Sequence, residues 1–271
     1  MKDEILRLFS SIQSKHPLVH HITNNVTIND CANVTLAIGG SPVMADAKQE
    51  AANMTKLAQS LVLNFGTLGE PSFESMILSG KMANHIEIPV IFDPVGVGAT
   101  EYRTKRAQEL LDQVEVSVVR GNQSEIAALI GEEGSTRGVD AGDIQIDPAK
   151  LAIHASQKLG AIIAVTGATD IITDGERMVE IHNGHPMMTK VTGTGCMSTS
   201  LIGSFSGCTK HLFAAAVAGT SVMSIAGERA YRFLQKPVGT ATFRMKIIDE
   251  ISLMTGDIWR EEVKIIENKC S

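Results

Sequence analysis

Aromatic residues are scarce in this 271-residue sequence, at 4% with a single tryptophan, while Ala, Ile, Val and Met supply the apolar bulk beside 24 glycines. That mix suits an α/β protein with covered sheet faces better than an antiparallel sandwich. Only four cysteines occur, Cys31, Cys196, Cys208 and Cys270. They form no CxxC pair and no disulfide-like spacing, which fits a reducing cytoplasm. The 24 basic residues are spread thinly against 30 acidic ones, for a net charge of −6. No basic stripe points to nucleic acid, and no polybasic segment to a membrane surface. The start, "MKDEILRLFSSIQ", carries acids among its apolar residues and lacks a secretory core. The most apolar long window, "HLFAAAVAGTSVMSIAG" (211–227), falls just short of a spanning length and is punctuated by Thr and Ser. A helix buried in protein is expected there.

Short β-branched runs alternate with longer helical patterns through most of the chain. Strands are expected over 17–23, 60–66, 89–96, 116–122 and 161–167. Amphipathic stretches lie between them, at 46–59 and at 147–160. The second has Asp147 as N-cap, Pro148 at the first helical position and Gly160 as stop. Strands spaced by helices read as βαβ units and a mainly parallel sheet. After 167 the pattern changes: Asp174-Gly175 between two alternating runs signals a hairpin. From Gly193 onward the chain reads as mostly helical. The charged, glycine-rich stretch 131–147 reads as a surface loop with a short helix. No repeat, low-complexity segment or linker occurs, and 44% hydrophobic content allows one large core. A single domain over 1–271 is the expectation.

Each expected strand ends in polar or glycine residues. The first gives His20, His21, Thr23, Asn24 and Asn25, and the second Asn64 and Gly66. The third gives Asp93, Pro94, Gly96 and Gly98, the fourth Arg120, Gly121, Asn122 and Glu125, the fifth Thr166 and Gly167. In an open parallel sheet these carboxyl ends share one edge, where ligands bind. Polar loops explain one or two such ends, but not Asp93, Arg120, Glu125 and Thr166 together. Asp93 and Glu125 suit magnesium, which takes one or two carboxylates and substrate phosphates. A turn former at Asp93 and a helix-capping acid at Glu125 are the competing roles. Arg120 suits nucleotide phosphates, or a structural ion pair.

No GxxxxGK[ST] loop occurs, and "GTGCMS" has Ser198 at the third glycine position of a dinucleotide fingerprint. Instead the GTG turn opens a helix, so the backbone amides of Gly193 to Cys196 are placed to hold the oxygens of a phosphoryl group. Cys196, at that helix start, is expected to be more acidic than a free thiol. A phosphocysteine phosphatase would need an arginine six residues on, where Ile202 stands. A cysteine hydrolase would need His20 or His21 from afar, and burial as a small hydrophobe is also open. The remaining role is to sit beside a substrate hydroxyl and assist its deprotonation.

"HHITNNVTINDCANVTLAIGGSPVMADAKQEA", "VIFDPVGVGAT", "VVRGNQSEIAAL", "AVTGATD" and "VTGTGCMSTSLIGSF" together resemble hydroxyethylthiazole kinase over nearly the whole chain, in the same order. The resemblance implies a ribokinase-like α/β fold, with a central mainly parallel sheet, helices on both faces and a helical C-terminal part. It also implies ATP-dependent phosphorylation of 4-methyl-5-(2-hydroxyethyl)thiazole in thiamine salvage, with Mg²⁺. The wider superfamily places aspartate after the GxG turn as general base, and Cys196 stands at that position. By the same resemblance Met44 and Gly193 bind the thiazole, Arg120 and Thr166 bind ATP, and Asp93 and Glu125 associate with magnesium. Met44 also suits the core, and Asn25 lines the thiazole pocket or merely forms its turn. The family's trimers hold active sites between neighbouring subunits. A related kinase for a pyrimidine or pyridoxal alcohol, and a thiazole-binding regulator without catalysis, are the alternatives.

Overall fold

The structure, a computed structural model, describes residues 1–132 and 146–270. Most of the expected loop at 131–147 therefore lies outside the described residues. The first half runs α1 (Lys2–Lys15), β1 (Leu18–Ile22), α2 (Ile28–Ile38), β2 (Ser41–Val43), α3 (Ala51–Thr55), β3 (Ser60–Asn64), α4 (Glu70–His85), β4 (Val90–Asp93), α5 (Glu101–Gln113), β5 (Val118–Asn122) and α6 (Gln123–Leu129). The second runs α7 (Pro148–Leu159), β6 (Ile162–Thr166), β7 (Asp170–Thr173), β8 (Arg177–Ile181), α8 (Thr194–Ser206), α9 (Leu212–Phe233), α10 (Thr240–Ser252), α11 (Gly256–Glu262) and β9 (Ile265–Lys269).

The strands form one sheet in the order β2-β1-β3-β4-β5-β6-β7-β8-β9. Neighbours from β2 through β6 pair in parallel, and β7, β8 and β9 add antiparallel strands. Side chains alternate across the sheet. Val62, Ile91, Val118 and Ala164 face a core built on α1, α2 and α8 to α11. Leu61, Leu63, Phe92, Val119 and Ile163 face a second core built on α4 to α7. Both faces are thus covered, which is why β3 and β4 read as unbroken apolar runs.

The apolar window at 211–227 lies within α9, whose residues from Phe213 to Gly227 are buried. Its small residues serve helix packing: a Cβ at Gly219 would collide with the backbone of Ile202 on α8. No helix among the described residues is long and apolar enough to cross a membrane. Asp147 caps α7 by accepting from the Ala149 amide at 2.8 Å, and Gly160 ends it at φ 63°. The hairpin forms at Asp174, whose Oδ1 accepts from the amides of Glu176 and Arg177.

Two strands escaped the sequence. β2 is three residues long, contains Pro42 and lies at the sheet edge, while β9 is the other edge, largely exposed and polar after its two isoleucines. Neither carries the alternation or the apolar run that marks a strand. The amphipathic stretch at 46–59 is helical only over α3, because the chain must turn at Lys56–Ala58 to enter β3.

Candidate active site

Six parallel strands deliver their carboxyl ends to one edge in the order β2, β1, β3, β4, β5, β6. Along that edge stand Met44 just past β2, Asn24 past β1, Asn64 ending β3, Asp93 ending β4, Arg120 on β5 and Thr166 ending β6. The start of α8 meets the middle of this row. Gly193 is its N-cap at φ +88°, a conformation that favours glycine, and no side chain caps the helix. The amides of Thr194, Gly195 and Cys196 precede the first intrahelical bond, from Met197 N to Gly193 O at 2.9 Å. Residues 193–196 are half-buried, so these donors border open space. A Cβ on Gly195 would run into the Arg120 guanidinium, which therefore lies directly against the turn.

Cys196 sits where three strand ends converge. Its Sγ accepts from Asn24 Nδ2 and from Asn64 Nδ2, each at 3.3 Å. Asn64 Nδ2 also donates to Asp93 Oδ2 at 2.7 Å, and Thr199 Oγ1 donates to the same oxygen at 2.9 Å. The expectation of an acidic thiol is reversed. Burial and the negative charge of Asp93 push the Cys196 pKa up, against the pull of Thr27, Arg120 and Asn64. With burial as the largest cause, the resting group is a thiol at neutral pH.

Asp93 is fully buried. Burial raises its carboxyl to about 6, with Glu125 adding to the shift while Arg120, Thr199 and Asn64 oppose it. Its Oδ1 has no hydrogen-bond partner and lies 3.7 Å from Arg120 Nη1. Arg120 Nη2 also donates to Thr166 Oγ1. Arg120 therefore pairs with Asp93 and also borders the turn. Glu125 closes a capping box with Asn122, its Oε2 accepting from the Asn122 amide at 2.9 Å. Its Oε1 accepts from the Gly96 amide at 2.9 Å, which ties the loop after β4 to α6.

Beside the turn lies a cleft of about 550 Å³, bordered by Arg120, Thr166, Gly195, Asp170, His185 and Met223. That size suits a nucleotide-sized ligand. Asp170 shapes its floor, accepting from the Gly167 amide at 3.0 Å and from Ser224 Oγ at 2.7 Å. His185 stacks on Tyr231 at 3.6 Å between ring centroids to form a wall. Two larger clefts, of about 930 and 760 Å³, open near the amino ends of the strands, around Cys208 and Leu111. Chemistry favours the smaller one, because Arg120, Thr166 and the first residues of α8, Thr194 and Gly195, line it, while Cys196 and Asp93 lie beside it at the same carboxyl edge.

Met44 is half-buried at the far end of the row, beyond β2. Buried His20 pairs alongside Val43 in the sheet, and its Nε2 donates to the carbonyl of Ala45 at 2.7 Å, so one residue brackets Met44 on both sides. Asn25 is exposed, and it is its neighbour Asn24 that reaches Cys196 within the same chain. Sequence reasoning gathered Asn24 and Asn64 to this edge without a role, and passed over Thr199. The signal for Thr199 was its spacing, three residues beyond Cys196 on one helix face.

A family model described as the Hydroxyethylthiazole kinase family matches residues 9–257. The chain is 52% identical over 267 residues to a hydroxyethylthiazole kinase of Ruminiclostridium cellulolyticum, covering 97% of each. A solved hydroxyethylthiazole kinase structure from Pyrococcus horikoshii superposes with a TM-score of 0.88 at 37% identity, covering 98% of this chain and 99% of that one. A ribokinase-like superfamily protein from Enterococcus faecalis shares the fold at a TM-score of 0.68 and 13% identity, over 94% of this chain and 95% of that one.

Proposed function

The chain belongs to the hydroxyethylthiazole kinase family, and from that premise we propose how its residues divide the work. The protein is an ATP-dependent kinase that phosphorylates the hydroxyl of 4-methyl-5-(2-hydroxyethyl)thiazole, a salvage step towards thiamine. ATP occupies the cleft beside β5 and β6, with Arg120 and Thr166 against its phosphates. The thiazole lies nearer β2 and β1, between Met44 and Cys196 and against the backbone of Gly193. A soft methionine sulfur suits such a ring.

The free amides at the start of α8 hold the oxygens of the migrating phosphoryl group, and Arg120 offsets its charge. Phosphoryl transfer has a loose transition state, so positioning counts for more than a strong base. Cys196 orients the alcohol, and in its thiolate form accepts the hydroxyl proton. Magnesium would be held through Asp93, whose buried Oδ1 carries no hydrogen bond although Arg120 faces it, with Glu125 beside it. No group of three or more His, Cys, Asp or Glu able to hold a metal occurs among the described residues, so phosphate oxygens and water would complete the shell. When bound, the ion neutralises charge on the phosphates. The whole chain works as one kinase domain in a homotrimer with active sites at the interfaces between neighbouring subunits, and free cysteines suit a cytoplasmic setting.

One observation carries this division of roles: a cysteine held by two strand-end carboxamides at the mouth of an uncapped helix that Arg120 covers. Purified protein with ATP, Mg²⁺ and a panel of heterocyclic alcohols tests it through ADP release. Turnover of the thiazole is expected. Turnover of hydroxymethylpyrimidine or pyridoxal without it, or thiazole binding without ADP release, would favour the related kinase or the regulator.

A further inference from the structure

The side chain of Asn64 uses its whole hydrogen-bonding capacity. Its Oδ1 accepts from the Gly66 amide and from Asn24 Nδ2, each at 2.8 Å, and its Nδ2 donates to Asp93 Oδ2 and to Cys196 Sγ. A carboxamide offers two donor hydrogens and two acceptor lone pairs, so none remains for a ligand. Its orientation follows from the network, because the Gly66 amide can only donate and must face the oxygen. Asn24 is fixed the same way, its Oδ1 accepting from the amides of Val26 and Thr27 at 3.1 and 3.0 Å. Gly66 is part of the arrangement: a Cβ there would stand 2.5 Å from the Asn24 Cβ and drive that side chain away.

Both carboxamides therefore turn an NH2 group, and not their oxygen, towards the Cys196 sulfur. Neither carboxamide can accept the thiol proton. Among the described residues, Asn64 is also the one side chain that hydrogen-bonds both Cys196 and Asp93. We infer that Asn64 is a positioning residue for phosphoryl transfer, holding the Cys196 sulfur in register with the Asp93 carboxylate while presenting hydrogen-bond donors to both. With every donor and acceptor committed within the protein, it has no polar group to offer a substrate, so its contribution belongs in kcat and not in KM. This rests on the roles proposed above for Cys196 and Asp93.

Asn64→Asp is the direct test, since it keeps the shape and the oxygen facing Gly66 but replaces the donor between Asp93 and Cys196 with a carboxylate oxygen. A kcat loss of about 10²-fold is expected, with KM for ATP and thiazole within about threefold. Asn64→Ser carries the same test if the first variant does not fold. A double-mutant cycle with Cys196→Ala separates positioning from mere stability: the combined loss should fall well short of the product of the single losses. Fully multiplicative losses, an unchanged kcat in folded Asn64→Asp, or a rise confined to KM would each overturn the inference. If Cys196→Ala itself keeps full kcat, the reading of Cys196 fails and this one with it. If Cys196→Ala is slow and Asn64→Asp is not, only this inference fails.

Discussion

Asp93→Asn should make the protein more stable at neutral pH while removing its activity. Burial lifts the Asp93 carboxyl from an ordinary 3.8 to about 6 in the folded chain. A rise of that size corresponds to about 3 kcal/mol, and the attraction of Arg120 is already inside that figure. The sign follows from proton uptake. Between about pH 4 and 6 the folded state holds more protons than the unfolded one, so stability falls as pH rises through that window. Above 6 the ionised carboxylate carries the full penalty. An asparagine is neutral throughout, and its oxygen can accept from Thr199 and Asn64 as Asp93 Oδ2 does. Urea denaturation at pH 8 should therefore show the variant more stable by about 3 kcal/mol, with the difference fading near pH 4. Thiazole kinase activity should be lost, because the neutral side chain no longer offers its charge to a cation. A variant less stable than the parent at pH 8 would refute the burial argument, and a stable variant with full activity would refute the role.

Cys196→Ala should keep thiazole binding and lower kcat by about 10²-fold. Because the thiol pKa is raised, kcat of the parent should climb with pH above neutrality as thiolate forms, and the alanine variant should lose that slope; identical profiles would return Cys196 to packing. Cys196→Asp should retain or raise activity, since two amino groups face position 196 and suit an acceptor; a folded but inactive variant counts against proton acceptance. Arg120→Ala should raise KM for ATP more than KM for the thiazole, and steady-state kinetics showing the reverse would remove Arg120 from the nucleotide side.

The parallel core was legible because β3, β4 and β6 are apolar runs bounded by turn residues, and α7 because Asp147, Pro148 and Gly160 mark its ends. β2 and β9 were not, since edge strands pair through backbone without needing an apolar pattern. Gathering Asp93, Arg120 and Thr166 at one edge followed from strand direction alone. Two features required coordinates. The acidity of Cys196 was misread from its place at a helix start, because burial and a neighbouring carboxylate come from residues remote in sequence. Likewise the capping bonds of Glu125 are local and visible as Asn122-x-x-Glu125, but its bond to the Gly96 amide joins segments 29 positions apart.

The central claim is that a phosphoryl group passes to the alcohol at the start of α8. A crystal structure with a non-hydrolysable ATP analogue, Mg²⁺ and the thiazole tests it most directly. Terminal phosphate oxygens within hydrogen-bonding distance of the Gly195 and Cys196 amides, with the alcohol oxygen against the Cys196 sulfur, are the predicted result. A terminal phosphate seated elsewhere, or an alcohol remote from that sulfur, would contradict it.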